Sequence, residues 1–144
     1  IKKIFMKKVL MILLVAFYAG INAFAANPDD VLGTWLVQDK DAKIELYKTK
    51  DGELQGKVVW HKIAGLKDVN NKDPKEHTKP VVGKIVVWNF KWDNEKGEWV
   101  DGNVYKEGKT YCGRIKMNAD GTLYMKGNIC NTFLGKSNTW TRVK

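Results

Sequence analysis

Two histidines, His61 and His77, bracket a polar stretch that also holds Asp68, Asp73 and Glu76. Imidazole and carboxylate together suit zinc-like ions. The spacing is neither an HExxH helix nor a CxxC knuckle, however, and both histidines read as solvated loop residues. Asp68-Val69-Asn70-Asn71-Lys72-Asp73 begins like a calcium loop, but Lys72 stands where an oxygen ligand is needed and the turn glycine is missing. There is no GxSxG, no phosphate-binding loop and no dinucleotide fingerprint. Ser137 is the single serine, which leaves almost no room for a serine nucleophile. Glu45, Glu53 and Glu98 have no spacing that signals paired acid–base work. The expectation is a non-catalytic protein with no cofactor and no metal.

The remaining reactive side chains are Cys112 and Cys130, and their chemistry depends on the compartment. Lys7-Lys8 lead into the apolar run Val9–Ala19, and Ala23-Phe24-Ala25 follows with small residues at both cleavage-recognition positions. A basic head, a short apolar run and an A-x-A end are the parts of a secretory signal peptide. The run is short for a membrane span, which takes about 20 residues; an uncleaved anchor is the alternative. Ala26 follows the cut where a lipid-anchored chain has Cys. Met6 is read as the start, or the chain begins upstream of Ile1. Residues 1–25 are thus expected to be a leader and 26–144 one domain, exported to the periplasm or beyond.

Removing Lys2, Lys3, Lys7 and Lys8 lowers the net charge from +9 to +5. No mature basic run exceeds two residues, so a nucleic-acid partner is not expected. An anionic envelope surface or ligand would be weakly favoured.

The elements that must position these residues are short strands. Val31–Gln38, Ala42–Lys48, Glu53–Trp60, Val81–Lys91, Glu98–Lys106, Lys109–Met117, Thr122–Asn131 and Ser137–Val143 are divided by Asp51-Gly52, Lys96-Gly97, Glu107-Gly108 and Asp120-Gly121. Each glycine supplies the positive φ of a tight turn. Eight such strands predict an all-β sandwich or barrel. His61–Lys79 is the one long connection, expected to hold a turn of helix or to lie over one mouth.

Turn lengths predict registers. A bulged loop at Asn118–Gly121 sets Met117 against Leu123, Ile115 against Met125, Gly113 against Gly127 and Tyr111 against Ile129. A two-residue turn at Glu107-Gly108 sets Val104 against Tyr111, Gly102 against Gly113 and Val100 against Ile115. A bulged turn at Gly97 sets Trp92 against Val100, Phe90 against Gly102 and Trp88 against Val104. A one-residue slip would break the shared apolar face. The inner face then carries the row Phe90–Gly102–Gly113–Gly127. Either the glycines let the barrel curve while Phe90 or a Trp fills the space above them, or they floor a pocket walled by Trp88, Trp92 and Tyr111. On the polar face Asp101 is expected beside Arg114. Cys112 and Cys130 become diagonal neighbours there, about 7–8 Å apart before strand twist or a bulge closes the gap. A disulfide and two free thiols both stay open.

Gly33-Thr34-Trp35 at the start and Trp140-Thr141-Arg142-Val143 at the end resemble the lipocalin and fatty-acid-binding (calycin) barrels. The resemblance implies that Arg142 packs over Trp35 beside Gly33 where the first and last strands meet. The mature chain also resembles the exported bacterial family called domain of unknown function 2147. The matching residues are Gly33–Trp35, Gly56–Trp60, Pro80–Gly83, Gly102–Tyr105, Gly108–Tyr111 and Leu134–Arg142. The match departs from that family's pattern before Pro80, where arginines are expected, and at Lys136, where arginine is usual.

The combined expectation is a leader followed by an antiparallel up-and-down β-barrel of about eight strands, lipocalin-like and monomeric. It binds a small hydrophobic or amphipathic molecule against Trp35, Trp60, Trp88, Phe90, Trp92, Gly102, Tyr111, Gly113 and Gly127. The alternative is an envelope interaction or structural protein with a filled barrel and no ligand.

Overall fold

The computed structural model describes residues 25–144. The leader expected over 1–25 lies outside the described residues, Ala25 excepted. Eight antiparallel strands, β1 (Gly33–Leu36), β2 (Ala42–Lys48), β3 (Leu54–His61), β4 (Ile85–Asp93), β5 (Glu98–Lys106), β6 (Lys109–Met117), β7 (Leu123–Asn128) and β8 (Gly135–Arg142), follow one another around the wall. β1 pairs with both β2 and β8, so the barrel closes. Closure removes the unpaired edges that an open sheet would present. The up-and-down order puts the β1–β2, β3–β4, β5–β6 and β7–β8 connections at one end, the mouth. The β2–β3, β4–β5 and β6–β7 turns share the other end with the segment before β1.

Alternation fills the inside. Ile44 and Leu46 on β2, Leu54 and Val58 on β3, Ile115 on β6, and Leu123 and Met125 on β7 are buried and form one core with Trp35, Val87, Phe90, Trp99 and Trp140. Each such side chain contributes about 1.5–3 kcal/mol by leaving water.

The β6–β7 register is the expected one from Cys112↔Asn128 to Met117↔Leu123. The expected Tyr111–Ile129 pair is not made, because β7 stops at Asn128 and the Ile129 N–H turns to Leu134 O. On β5–β6, Val104↔Tyr111 and Gly102↔Gly113 stand as expected, but Ile115 faces Trp99 instead of Val100. β4–β5 is displaced by one residue: Trp92 faces Trp99, Trp88 faces Asn103 and Val87 faces Val104. The cause is Asp93, whose carboxylate accepts from the N–H groups of Glu95 and Lys96 while its carbonyl accepts from Gly97. That Asx geometry builds a four-residue loop, not a bulged turn. Asn89 (φ 63°) and Asp101 (φ 58°) each break the alternation of their strand, so Phe90 and Gly102 still point inward.

Two further differences concern the ends of elements. β1 is shorter than expected because Asn27 caps a 3-10 turn at Pro28–Val31, with Pro28 at its start. The long connection holds a 3-10 turn at Pro74–Glu76 and a bridge between Lys67 and Pro80. It packs on the outer flank of β4 and β5 and does not lie across the mouth: Asp68 reaches Tyr105, which alternates with inward-facing Val104.

Candidate functional site

The far end of the barrel is shut by a plug. Val31 is buried beneath Trp35, whose Nε1–H donates to Val31 O at 2.8 Å. Trp99 Nε1–H donates to Pro28 O at 3.1 Å, tying the same turn to β5. The Arg142 guanidinium stacks 4.2 Å from the Trp35 ring centroid and donates to Leu32 O at 2.8 Å and to Asp30 O. A planar cation that also satisfies two carbonyls joins the first and last strands to the plug. Gly33 is held at φ 123°, and a Cβ there would come within 2.9 Å of Arg142 Nη1. Trp35 is therefore the base of this plug.

Phe90 occupies the middle. It is fully buried, and a Cβ at Gly102 would sit 2.0 Å from its ring. A Cβ at Gly113 would lie 3.4 Å from Phe90 Cζ and 2.8 Å from Lys126 O. The ring thus covers two of the three glycines. Gly127 differs: only Tyr111 Cβ, at 3.7 Å, would approach a Cβ there. The row is filled at one end and open at the other.

Above Phe90, toward the mouth, Val104, Tyr111, Gly127 and Asn138 are half-buried and share the inward-facing positions of β5 to β8. β7–β8 pairing adds Lys136 directly beside Gly127. Lys106, at the end of β5, bonds Asp39 in the β1–β2 turn at 2.9 Å. Those elements are four strands apart around the ring, so this ion pair crosses the entrance. Asp39 is held below the ordinary carboxylate range by the Lys106 hydrogen bond and charge, with Lys136 adding to the effect. Lys106 is raised by the same hydrogen bond. The mouth therefore places half-buried apolar surface next to two cations, Lys106 and Lys136.

Several expected lining residues lie elsewhere. Trp60 is on the outer face, 40% exposed, paired with Lys43, whose Nζ lies 5.1 Å over its ring. The cause is the bulge opposite Lys43/Ile44, which inserts Val59 and reverses the alternation after Val58. Trp88 also faces outward, aligned with Asn103 and, one strand further, Cys112, because the irregularity at Asn89 separates it from Phe90. Trp92 meets Trp99 edge to face at 5.5 Å near the plugged end. It also borders a surface cleft of about 580 Å³ between residues 25–31 and the turns after β4 and β6, away from the glycine row. Trp99, Trp140, Val104, Asn138 and Lys136 were not among the expected lining residues; the one-residue slip in β4–β5 hid Trp99.

Cys112 and Cys130 form a disulfide with Cα atoms 5.0 Å apart. Since β7 ends at Asn128, residue 130 is free of the ladder and can close the diagonal gap. Arg114 takes Glu98, at 3.5 Å, in place of the expected Asp101, which the break at Asp101 moves away.

The outer flank holds a second polar cluster. Buried Asp68 accepts from Tyr105 Oη at 2.7 Å, Asn71 Nδ2 at 2.8 Å and Lys84 Nζ at 2.7 Å, and Lys84 also bonds Glu76 at 2.8 Å. Burial opposes ionisation of Asp68, but the bonds from Lys84, Asn71 and Tyr105 outweigh it and its pKa is lowered. Burial likewise opposes the Lys84 charge, yet Asp68 and Glu76 raise its pKa. Every member is partnered, so the cluster clamps the long loop to β5. His77 Nε2 lies 2.6 Å from Asn71 O, and His61 Nδ1 accepts from Ile63 N–H at 3.0 Å. Among the described residues no three His, Cys, Asp or Glu side chains converge on a metal position.

Closed eight-stranded wall, N-terminal plug and arginine-on-tryptophan closure together define a lipocalin-like barrel. The chain belongs to the family described as uncharacterized protein conserved in bacteria (DUF2147), which it matches over residues 33–142. Protein HP1028 from the human pathogen Helicobacter pylori, described as belonging to the lipocalin family, is a similar solved structure. The TM-score is 0.71 at 21% identity, covering 79% of this chain and 83% of that one. No curated protein matches the chain.

Proposed function

We propose that this protein is an exported, non-catalytic binding protein that takes a small hydrophobic or amphipathic molecule at the barrel mouth. The observation that carries this reading is the asymmetry of the glycine row. Phe90 seals Gly102 and Gly113, while Gly127 faces open space beside Tyr111 and Lys136. The apolar part of the ligand rests on Val104 and Tyr111, which lie above the fully buried Phe90, and an anionic end meets Lys136 and Lys106. Export is supported by the leader pattern and by the disulfide, which persists in oxidising compartments. The periplasm or the exterior is the corresponding location.

The test is a fluorescence titration with dodecanoate and with anilinonaphthalene sulfonate. Wild type should give a saturable change, and Gly127→Leu should lose it while melting like wild type. Unsaturable binding, or binding equal in both proteins, sinks the reading. The filled lower barrel favours a second reading, in which the inside is only core and the outer surface meets an envelope partner. Absence of any saturable ligand response would support it.

A further inference from the structure

The exposed apolar residues are not scattered. All nine large hydrophobic side chains exposed among the described residues belong to the mouth end, and none to the plugged end. Six lie between Val59 and Ile85, at the close of β3, in the long loop and at the opening of β4. The other three, Ile129, Phe133 and Leu134, form the β7–β8 tip, where Phe133 is fully exposed and Leu134 is 69% exposed. Scattered single hydrophobics need no explanation, but segregation to one end does.

Local bonding holds the tip open. Asn128 Nδ2 donates to Ile129 O and Thr132 O, Thr132 Oγ1 donates to Ile129 O, and the Cys112–Cys130 disulfide anchors its base to β6. Phe133 and Leu134 therefore keep their side chains in solvent, with no fold of the loop tucking them back.

Charge divides along the same axis. The long loop at the mouth carries six lysines between Lys62 and Lys84 against Asp68, Asp73 and Glu76. At the plugged end acids and bases are more evenly matched: Asp29 bonds Lys48, Glu53 bonds Lys91, Asp93 bonds Lys96, and Glu98 is buried against Arg114. An anionic surface would attract the mouth end more strongly than the plugged end.

We infer that the mouth end docks on an anionic lipid bilayer, with the β7–β8 tip entering the interface. A convex apolar tip needs no complementary pocket when its acceptor is hydrocarbon. Lys136 beside the tip and the lysines of the β3–β4 loop across the rim gain from anionic headgroups, while Trp60 and Phe133 suit the interfacial layer. Docking in this orientation turns the mouth toward the membrane. The inference stands whether or not the barrel carries a ligand.

The test is vesicle flotation of residues 26–144, a span that keeps every strand, the plug and the disulfide. The probe vesicles are phosphatidylcholine containing about one-quarter phosphatidylglycerol, with pure phosphatidylcholine as comparison. Wild type should float with the anionic vesicles, and its partitioning should fall severalfold in pure phosphatidylcholine. Replacing Phe133→Ser together with Leu134→Ser should weaken partitioning at least about tenfold. Both side chains are exposed, so the fold is expected to survive, checked by an unchanged melting curve. A Phe133→Trp variant gives the local readout, its emission shifting to the blue on anionic vesicles. Failure of wild type to float, equal flotation of the double serine variant, no blue shift, or tip-dependent self-association without vesicles would each overturn the inference.

Discussion

Adding one methyl group at two points of the glycine row should have opposite consequences. At Gly102 the new Cβ falls 2.0–2.3 Å from three atoms of the Phe90 ring, which has no exposed surface through which to retreat. Ordinary carbon contact begins near about 3.5 Å, so ring or strand must move by more than an ångström in a close-packed interior. Overpacking of this kind costs about 1–3 kcal/mol, and the upper half of that range applies where the obstacle is a fully buried ring. At Gly127 the new Cβ meets only Tyr111 Cβ at 3.7 Å. Alanine there should be neutral, or stabilising by about 0.5 kcal/mol through the unfolded chain. A gap of about 2 kcal/mol separates the two variants, or about 8 °C in melting temperature for a domain of this size. Thermal and urea unfolding of Gly102→Ala and Gly127→Ala, each against wild type, measure it. Coincident melting of the two variants would refute the asymmetric filling on which the mouth site rests.

Other perturbations have defined outcomes. Replacing both Cys112 and Cys130 with serine releases a link spanning 18 residues, which chain entropy values at about 3 kcal/mol; the midpoint in non-reducing urea should fall accordingly, and a loss under about 1 kcal/mol contradicts this. Asp68→Asn leaves Lys84 poorly paired in the outer clamp and should cost about 3 kcal/mol, with hydrogen exchange rising first across residues 66–84. Because the Asp68 pKa is lowered, its contribution is complete above the usual carboxylate range and disappears as pH falls through its depressed value. Loop protection should therefore hold at neutral pH and collapse only in strong acid; loss near pH 6 would contradict the assignment. Lys84, whose pKa is raised, contributes fully below the ordinary lysine value, and its share is lost as pH climbs from there through the raised one. Arg142→Met keeps some packing on Trp35 but leaves Leu32 O and Asp30 O without their donor. It should destabilise by about 1–3 kcal/mol, and exchange should quicken first in residues 28–36.

The fold was largely legible in the sequence because turn chemistry is local. Glu107-Gly108 and Asp120-Gly121 announce their turns, and the β6–β7 register followed from loop length alone. Misplaced residues trace to features with weaker local signatures. The Asp93 side chain organises a longer loop than Lys96-Gly97 suggests, which moved Trp99 onto the inner face unseen. Extra residues at Val59 and near Asn89 send Trp60 and Trp88 outside, and nothing in residue type marks either break. The disulfide needed the end of β7 at Asn128, which depends on the capping bonds of Asn128 and Thr132. Phe90 against Gly102 was visible as a pairing of neighbours, but its volume could be judged only with three-dimensional packing. The open side of Gly127 is of the same kind: a glycine reads alike whether it accommodates a ring or faces empty space.

Native mass spectrometry of the protein taken non-reduced from cell-envelope extract separates a loaded barrel from an empty one. Wild type should carry a reproducible added mass of small-molecule size that leaves on denaturation and is missing from Gly127→Leu prepared in the same way. A bare chain mass for wild type, or the same added mass on the Gly127→Leu variant, would contradict a ligand held at the barrel mouth.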